Sequence, residues 1–145
     1  MVHPLRGTIL VADDNSLNRK LVTSRLRAQG YDVREVEDGR QALELALHIR
    51  PALIILDLVM PVMDGIQTAR ILRAAPKTRS IPILALSAVA AGTERESALT
   101  AGCNGFLAKP FRAEQLLAAV AELLRHAAAA APPPFTDVPT TPSLS

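Results

Sequence analysis

The chain has 145 residues, 49% apolar and 21% charged, which suffices for one domain with a core of its own. One Tyr, three Phe and no Trp make that core aliphatic and leave no aromatic platform on which single-stranded nucleic acid could stack. The net charge of +2 comes from sixteen basic residues interleaved with fourteen acidic ones, so no basic stripe argues for DNA; the densest group, Arg70, Arg73, Lys77 and Arg79, reads as a solvated helix end favoured by the helix dipole.

Thr8 to Ala12 is a short apolar run of β type, closed by the turn and N-cap residues Asp13, Asp14, Asn15 and Ser16. A helix follows over Leu17 to Gln29, where Leu17, Leu21, Val22 and Leu26 recur at helical spacing and Gly30 stands where a C-cap belongs. Tyr31 to Val36 alternates as a strand does. Asp38 and Gly39 turn the chain into a helix over Gln41 to Arg50, stopped by Pro51. Leu53 to Asp57 is a continuous aliphatic run, the pattern of a central strand covered on both faces. After a loop with Pro61, Asp64 and Gly65, the alternation continues: a helix over Ile66 to Ala75, a strand over Ile81 to Leu86, a helix over Thr93 to Ala101, a strand over Gly105 to Ala108, and a helix from Ala113 to about Arg125.

Five strands alternating with five helices predict an α/β, doubly wound parallel sheet of the flavodoxin-like order 2-1-3-4-5 over residues 6–126. Residues 127–145 change character: five alanines precede a segment with five of the chain's eleven prolines and Asp137 as its only charge. Such a segment lacks the apolar surface to offset its ordering entropy, so a disordered tail or linker is expected. The single Cys103 forms no internal disulfide and reads as a small buried hydrophobe in a reducing compartment. With no signal peptide and no apolar run long enough to span a bilayer, a cytoplasmic location and no membrane partner are expected.

In that topology the ends of the first, third, fourth and fifth strands bring Asp13, Asp14, Asp57, Ser87 and Lys109 to one sheet edge. Adjacent carboxylates there repel by roughly 4 kcal/mol per pair at about 4 Å under an effective dielectric of about 20. A hard cation such as Mg²⁺ offsets that repulsion, taking one or two carboxylates and often a substrate phosphate. Beside a cation, Asp57 is a plausible nucleophile toward phosphorus, while Ser87 and Lys109 supply a hydroxyl and an ammonium for phosphoryl oxygens. His3, His48 and His126 make no metal spacing.

The ordered pieces ILVADDN, LIILDLVMPVMDG, ILALSA and GFLAKPF stand 43, 30 and 22 residues apart, counted from Asp14 to Asp57, to Ser87 and to Lys109. Together they resemble the receiver domains of bacterial two-component response regulators. The resemblance implies that Asp57 takes a phosphoryl group from a histidine kinase or phosphotransfer protein, and that Mg²⁺ is held by Asp14 and Asp57 directly, by Asp13 mainly through water, and by the Val59 carbonyl. It further implies that Lys109 pairs with the phosphoryl group, that the Lys109-Pro110 bond is cis, and that Ser87 moves toward the phosphate as Phe106 turns inward. Phe106 lacks the hydroxyl that some relatives carry there. The protein would then be a signalling switch that assists its own phosphorylation and dephosphorylation and changes affinity for a downstream protein through its fourth helix, fifth strand and fifth helix. With no effector domain after Arg125, protein binding or phosphorelay is expected as the output, not DNA binding. DDNSLNR is also similar to receivers of hybrid histidine kinases. Two rivals share the fold class. An aspartyl-phosphate hydrolase of the haloacid dehalogenase type carries a second Asp where this chain has Val59, and a flavodoxin-like binding module would set the carboxylates of DDNSLN against the flavin phosphate.

Overall fold

The computed structural model describes residues 7–60, 62–88, 92–128 and 136–138. The aliphatic runs become β1 (Thr8–Ala12), β3 (Leu53–Asp57), β4 (Ile83–Ser87) and β5 (Gly105–Ala108), with β2 (Asp32–Val36) at one edge. Between them lie α1 (Ser16–Ala28), α2 (Gly39–Ile49), α3 (Gly65–Ala74) and α4 (Gly92–Ala101), and α5 (Ala113–Ala128) follows β5. The five strands pair in parallel in the order 2-1-3-4-5, as read from the alternation.

Every residue of β3 and β4 is buried, and alternation along the strands divides the core in two. Leu10, Ile54, Leu56, Ile83 and Phe106 pack toward α2, α3 and α4, whose contact residues include Ala42, Ala46, Ala69 and Ala98. Ile9, Val11, Ile55, Leu84 and Leu107 pack toward α1 and α5, which contribute Leu26, Leu116, Val120 and Leu123. Each of the first three helices begins on an Asx cap: Asn15, Asp38 and Asp64 accept a hydrogen bond from the backbone N–H three residues on, and Gln67 completes a capping box with Asp64. Gly30 and Gly102 follow α1 and α4 at φ 93° and 103°, where a side chain would be strained.

Beyond the expected elements, α5 runs on to Ala128 and Thr136–Val138 forms β6, a sixth strand in parallel pairing with the outer edge of β5. The reading of residues 127–145 as unstructured therefore does not hold at these places. Alanines extend a helix with little entropic cost. The open β5 edge supplies unpaired N–H and C=O groups to any extended segment that reaches it. A three-residue strand among prolines has no periodicity to betray it.

Arg73 also departs from its sequence reading. Instead of being solvated, its guanidinium donates to the carbonyls of Gly102 (2.7 Å), Arg79 (2.9 Å) and Ile81 (2.7 Å) and to the Asn104 side chain. It ties the end of α3 to the segments entering β4 and β5. Burial lowers its pKa from the ordinary value, and the buried Cys103 thiol nearby is pushed up to about 12, chiefly by burial.

Candidate functional site

Parallel register sets Ala12 beside Leu56, so Asp13 and Asp57, each one residue further on, leave the sheet side by side. By the same alternation, Asp13, Asp57 and Lys109 continue the rows of Val11, Ile55 and Leu107 on the α1 and α5 side, whereas Ser87 and Phe106 belong to the α2 to α4 side. One carboxylate oxygen from each of Asp13, Asp14 and Asp57 lies within 4.8 Å of the others. Asp13 and Asp57 are buried, at 1% and 6% exposure, and Asp14 is exposed.

The hydrogen bonds show what each oxygen lacks. Asp57 Oδ1 accepts from the Val59 N–H at 3.1 Å and Oδ2 from Lys109 Nζ at 3.0 Å. Asp13 Oδ1 accepts from the Asn15 N–H at 2.9 Å, but its buried Oδ2 accepts no hydrogen bond and lies 3.7 Å from Lys109 Nζ. One ammonium thus faces two buried carboxylates. Burial, and then the charge of Asp57, push the Asp13 carboxyl up to about 6 against the opposing pull of the Asn15 N–H and Lys109. An all-oxygen donor set with an excess of negative charge and an unsatisfied buried oxygen fits a hard divalent cation such as Mg²⁺.

Ser87 is fully buried; its hydroxyl donates to Glu94 on the first turn of α4, and its carbonyl accepts from the Lys109 N–H at 2.6 Å. Phe106 is 1% exposed, with the Arg95 guanidinium carbon 5.9 Å from its ring centroid. The Phe106 ring is thus buried in the same structure in which the Ser87 hydroxyl donates to Glu94. The Lys109-Pro110 bond is cis. Val59 is 65% exposed. A cavity of about 540 Å³ opens beside Asp13 and Lys109, walled by Leu21 and Val22 of α1 and by Phe111 and Leu116.

Sequence reasoning missed Gly65, taken as a turn residue. A Cβ there would stand 2.6 Å from the Asp57 carbonyl oxygen and 2.8 Å from Leu58 Cα, so the start of α3 approaches the β3 end as closely as backbone allows. Gly65→Ala is expected to destabilise the fold by about 1–3 kcal/mol, because backbone atoms cannot move aside as a side-chain tip can. Denaturant unfolding checks this, and a variant as stable as the wild type would contradict it.

A doubly wound α/β domain with buried carboxylates and a lysine at its topological switch point belongs to the class that handles phosphoryl groups and cations. The model of the response regulator receiver domain matches residues 9–121, and the chain belongs to that family. It is 41% identical over 118 residues, 81% of the chain and 50% of the relative, to the response regulator MprA of Mycolicibacterium vanbaalenii. Over the same length it is 38% identical to the DNA-binding dual master transcriptional regulator RpaA of Synechocystis, covering 81% of the chain and 49% of the relative. The chain therefore spans about half the length of these curated relatives. Among solved structures it is similar to a receiver domain of a sensor histidine kinase from Pseudomonas aeruginosa, solved with a magnesium ion coordinated in the active site cleft (TM-score 0.78, 38% identity, 82% of this chain and 98% of that one). It is likewise similar to a response regulator from Chloroflexus aurantiacus (TM-score 0.80, 32% identity, 82% and 98% coverage). Neither rival reading finds support in these relatives. Among the described residues, no helix is long and apolar enough to cross a membrane.

Proposed function

We propose that this receiver takes a phosphoryl group on Asp57 from a phosphohistidine of a histidine kinase or phosphotransfer protein. The observation that carries this reading is the Asp57 carboxylate at the end of the central strand, with Lys109 Nζ 3.0 Å from Oδ2 and a second buried carboxylate alongside. An Asp57 oxygen attacks phosphorus; the O–P bond forms as the donor's P–N bond breaks, and the imidazole nitrogen keeps the electron pair and takes up a proton. Lys109 then pairs with a phosphoryl oxygen, and the Ser87 hydroxyl donates to another. Asp13, Asp14, Asp57 and the Val59 carbonyl would hold Mg²⁺, which when bound neutralises charge on the phosphoryl oxygens.

The donor approaches past α1, whose Leu17 and Leu21 stand 67% and 55% exposed, Leu21 at the cavity beside Asp13. Output runs through α4, β5 and α5 to a downstream protein, and at that face the β5 edge already carries β6. Phosphotransfer profiling against the host's purified histidine kinases tests the reading. At least one kinase is expected to pass its label to this chain, and a chain that accepts none, from kinases or small phosphodonors alike, would overturn it.

Val59 neither orients water nor donates a proton from its side chain, so phospho-Asp57 is expected to be long-lived. A polar Val59→Asn should speed phosphoryl loss by about tenfold, a part of the roughly 10²–10⁴-fold that a positioned acid or base contributes. The check is the dephosphorylation rate after donor removal; an unchanged or slower rate in the variant would show that Val59 only packs against its loop.

A further inference from the structure

We propose that the first turn of α4 is a latch on the switch, in which Glu94 is a positioning residue that holds the Ser87 hydroxyl back from the phosphoryl group. The inference rests on Asp57 being the acceptor and names a residue that the family pattern of this chain does not assign. Its basis is a conflict of donors. A serine hydroxyl has one proton to donate, and here that proton goes to the Glu94 carboxylate. Ser87 can serve Glu94 or a phosphoryl oxygen, not both.

Three further observations support the latch. Ser87 and Phe106 lie on the sheet face that α4 covers, and consecutive residues of one helical turn engage them: Glu94 accepts from Ser87, and Arg95 lies over the Phe106 ring. Burial and the charge of Asp57 raise the Glu94 carboxyl above its ordinary value, so it lies within electrostatic reach of the acceptor. Glu94 also lines a cavity of about 320 Å³ between α4 and the loop after β3, bounded by Leu58, Val59, Met60 and Ser97, which gives its side chain room to leave. When Ser87 turns to the phosphate, the first turn of α4 loses the Glu94 attachment to the β4 end while Arg95 stays over the Phe106 ring. Release of one attachment converts chemistry at Asp57 into movement of a helix on the output face.

The test is a double-mutant cycle on the full chain with beryllofluoride as the phosphoryl stand-in, its affinity in saturating Mg²⁺ read by fluorine NMR titration. Alanine at position 94 suits a helix, so the variant is expected to fold. Glu94→Ala should bind beryllofluoride about tenfold more tightly in the wild-type background, the worth of one hydrogen bond to a charged acceptor. In the Ser87→Ala background the same change should matter by less than about twofold, because no hydroxyl remains to be released. An equal gain in both backgrounds would reduce Glu94 to a repelling charge and overturn the latch, as would no gain in the wild-type background. Absence of any beryllofluoride binding by the wild type would instead sink the Asp57 assignment, and the latch with it.

Discussion

Asp57→Asn is expected to reduce phosphorylation by a small-molecule phosphodonor in Mg²⁺ to background, a loss of at least about 100-fold, comparable to removing one principal participant in a catalysed step. The wild type should gain a single phosphoryl group, removed by hydroxylamine as an acyl phosphate is. Asparagine keeps the shape of aspartate and one oxygen for the Val59 N–H, while its NH₂ replaces the oxygen that faces Lys109, which keeps Asp13 at 3.7 Å as its partner; the fold should survive while the nucleophilic carboxylate is lost. Removing one of two buried negative charges should leave the metal-free variant at least as stable as the wild type. Intact-mass spectra settle the matter, and undiminished labelling of the variant would place the acceptor elsewhere.

Asp13 should dominate the pH dependence of stability without Mg²⁺. Its carboxyl stands at about 6 in the folded chain against 3.8 ordinarily. The folded state therefore holds this proton more tightly than the unfolded state does. Its contribution is fully present below about pH 4 and is lost as pH rises through about 6, a loss on the order of 2–3 kcal/mol by neutral pH. Asp13→Asn should flatten that decline and stabilise the metal-free protein at pH 7. Mg²⁺ should act in the opposite sense on the wild type, raising its melting temperature by several degrees, since a ligand at about 100 times its Kd adds about 2.7 kcal/mol. The rise should be much smaller in Asp13→Asn and in Asp14→Ala. Thermal melts across pH 4 to 8, with and without Mg²⁺, test both parts: parallel pH profiles for wild type and Asp13→Asn, or equal Mg²⁺ shifts in all three proteins, would contradict the assignment.

The strands were legible because a strand covered on both faces must be aliphatic throughout, and Leu53 to Asp57 meets that demand without interruption. The charged and hydroxyl residues were legible for a related reason: a carboxylate or lysine at the end of such a run has no place in the core, so it marks the edge. Boundaries were less secure. The fourth strand begins at Ile83, two residues later than the apolar run suggests, because Ile81 belongs to the turn that Arg73 holds. The roles of Arg73, Gly65 and Glu94 were not legible because they depend on partners outside their own element: Arg73 meets Gly102 across 29 residues, Gly65 meets the backbone of Asp57 at the end of β3, and Glu94 meets Ser87 at the end of β4. No local pattern encodes such contacts. Only the folded topology brings them together.

The pairing of β1 with β3 has a consequence for how this protein can fail. Because side chains alternate with a period of two, a slip of one residue would send Asp57 to the opposite layer and drive Ile54 and Leu56 out of theirs. Charge placement and core packing are thus one property measured in two ways. A substitution far from the acidic edge that loosens this pairing, such as a smaller residue at Ile54, would damage cation binding and melting temperature in proportion. Lesions at Asp14 or Lys109, whose side chains lie outside both packed layers, would separate the two. A panel of variants sorted by whether those quantities fall together would trace, residue by residue, where the scaffold ends and the chemistry begins.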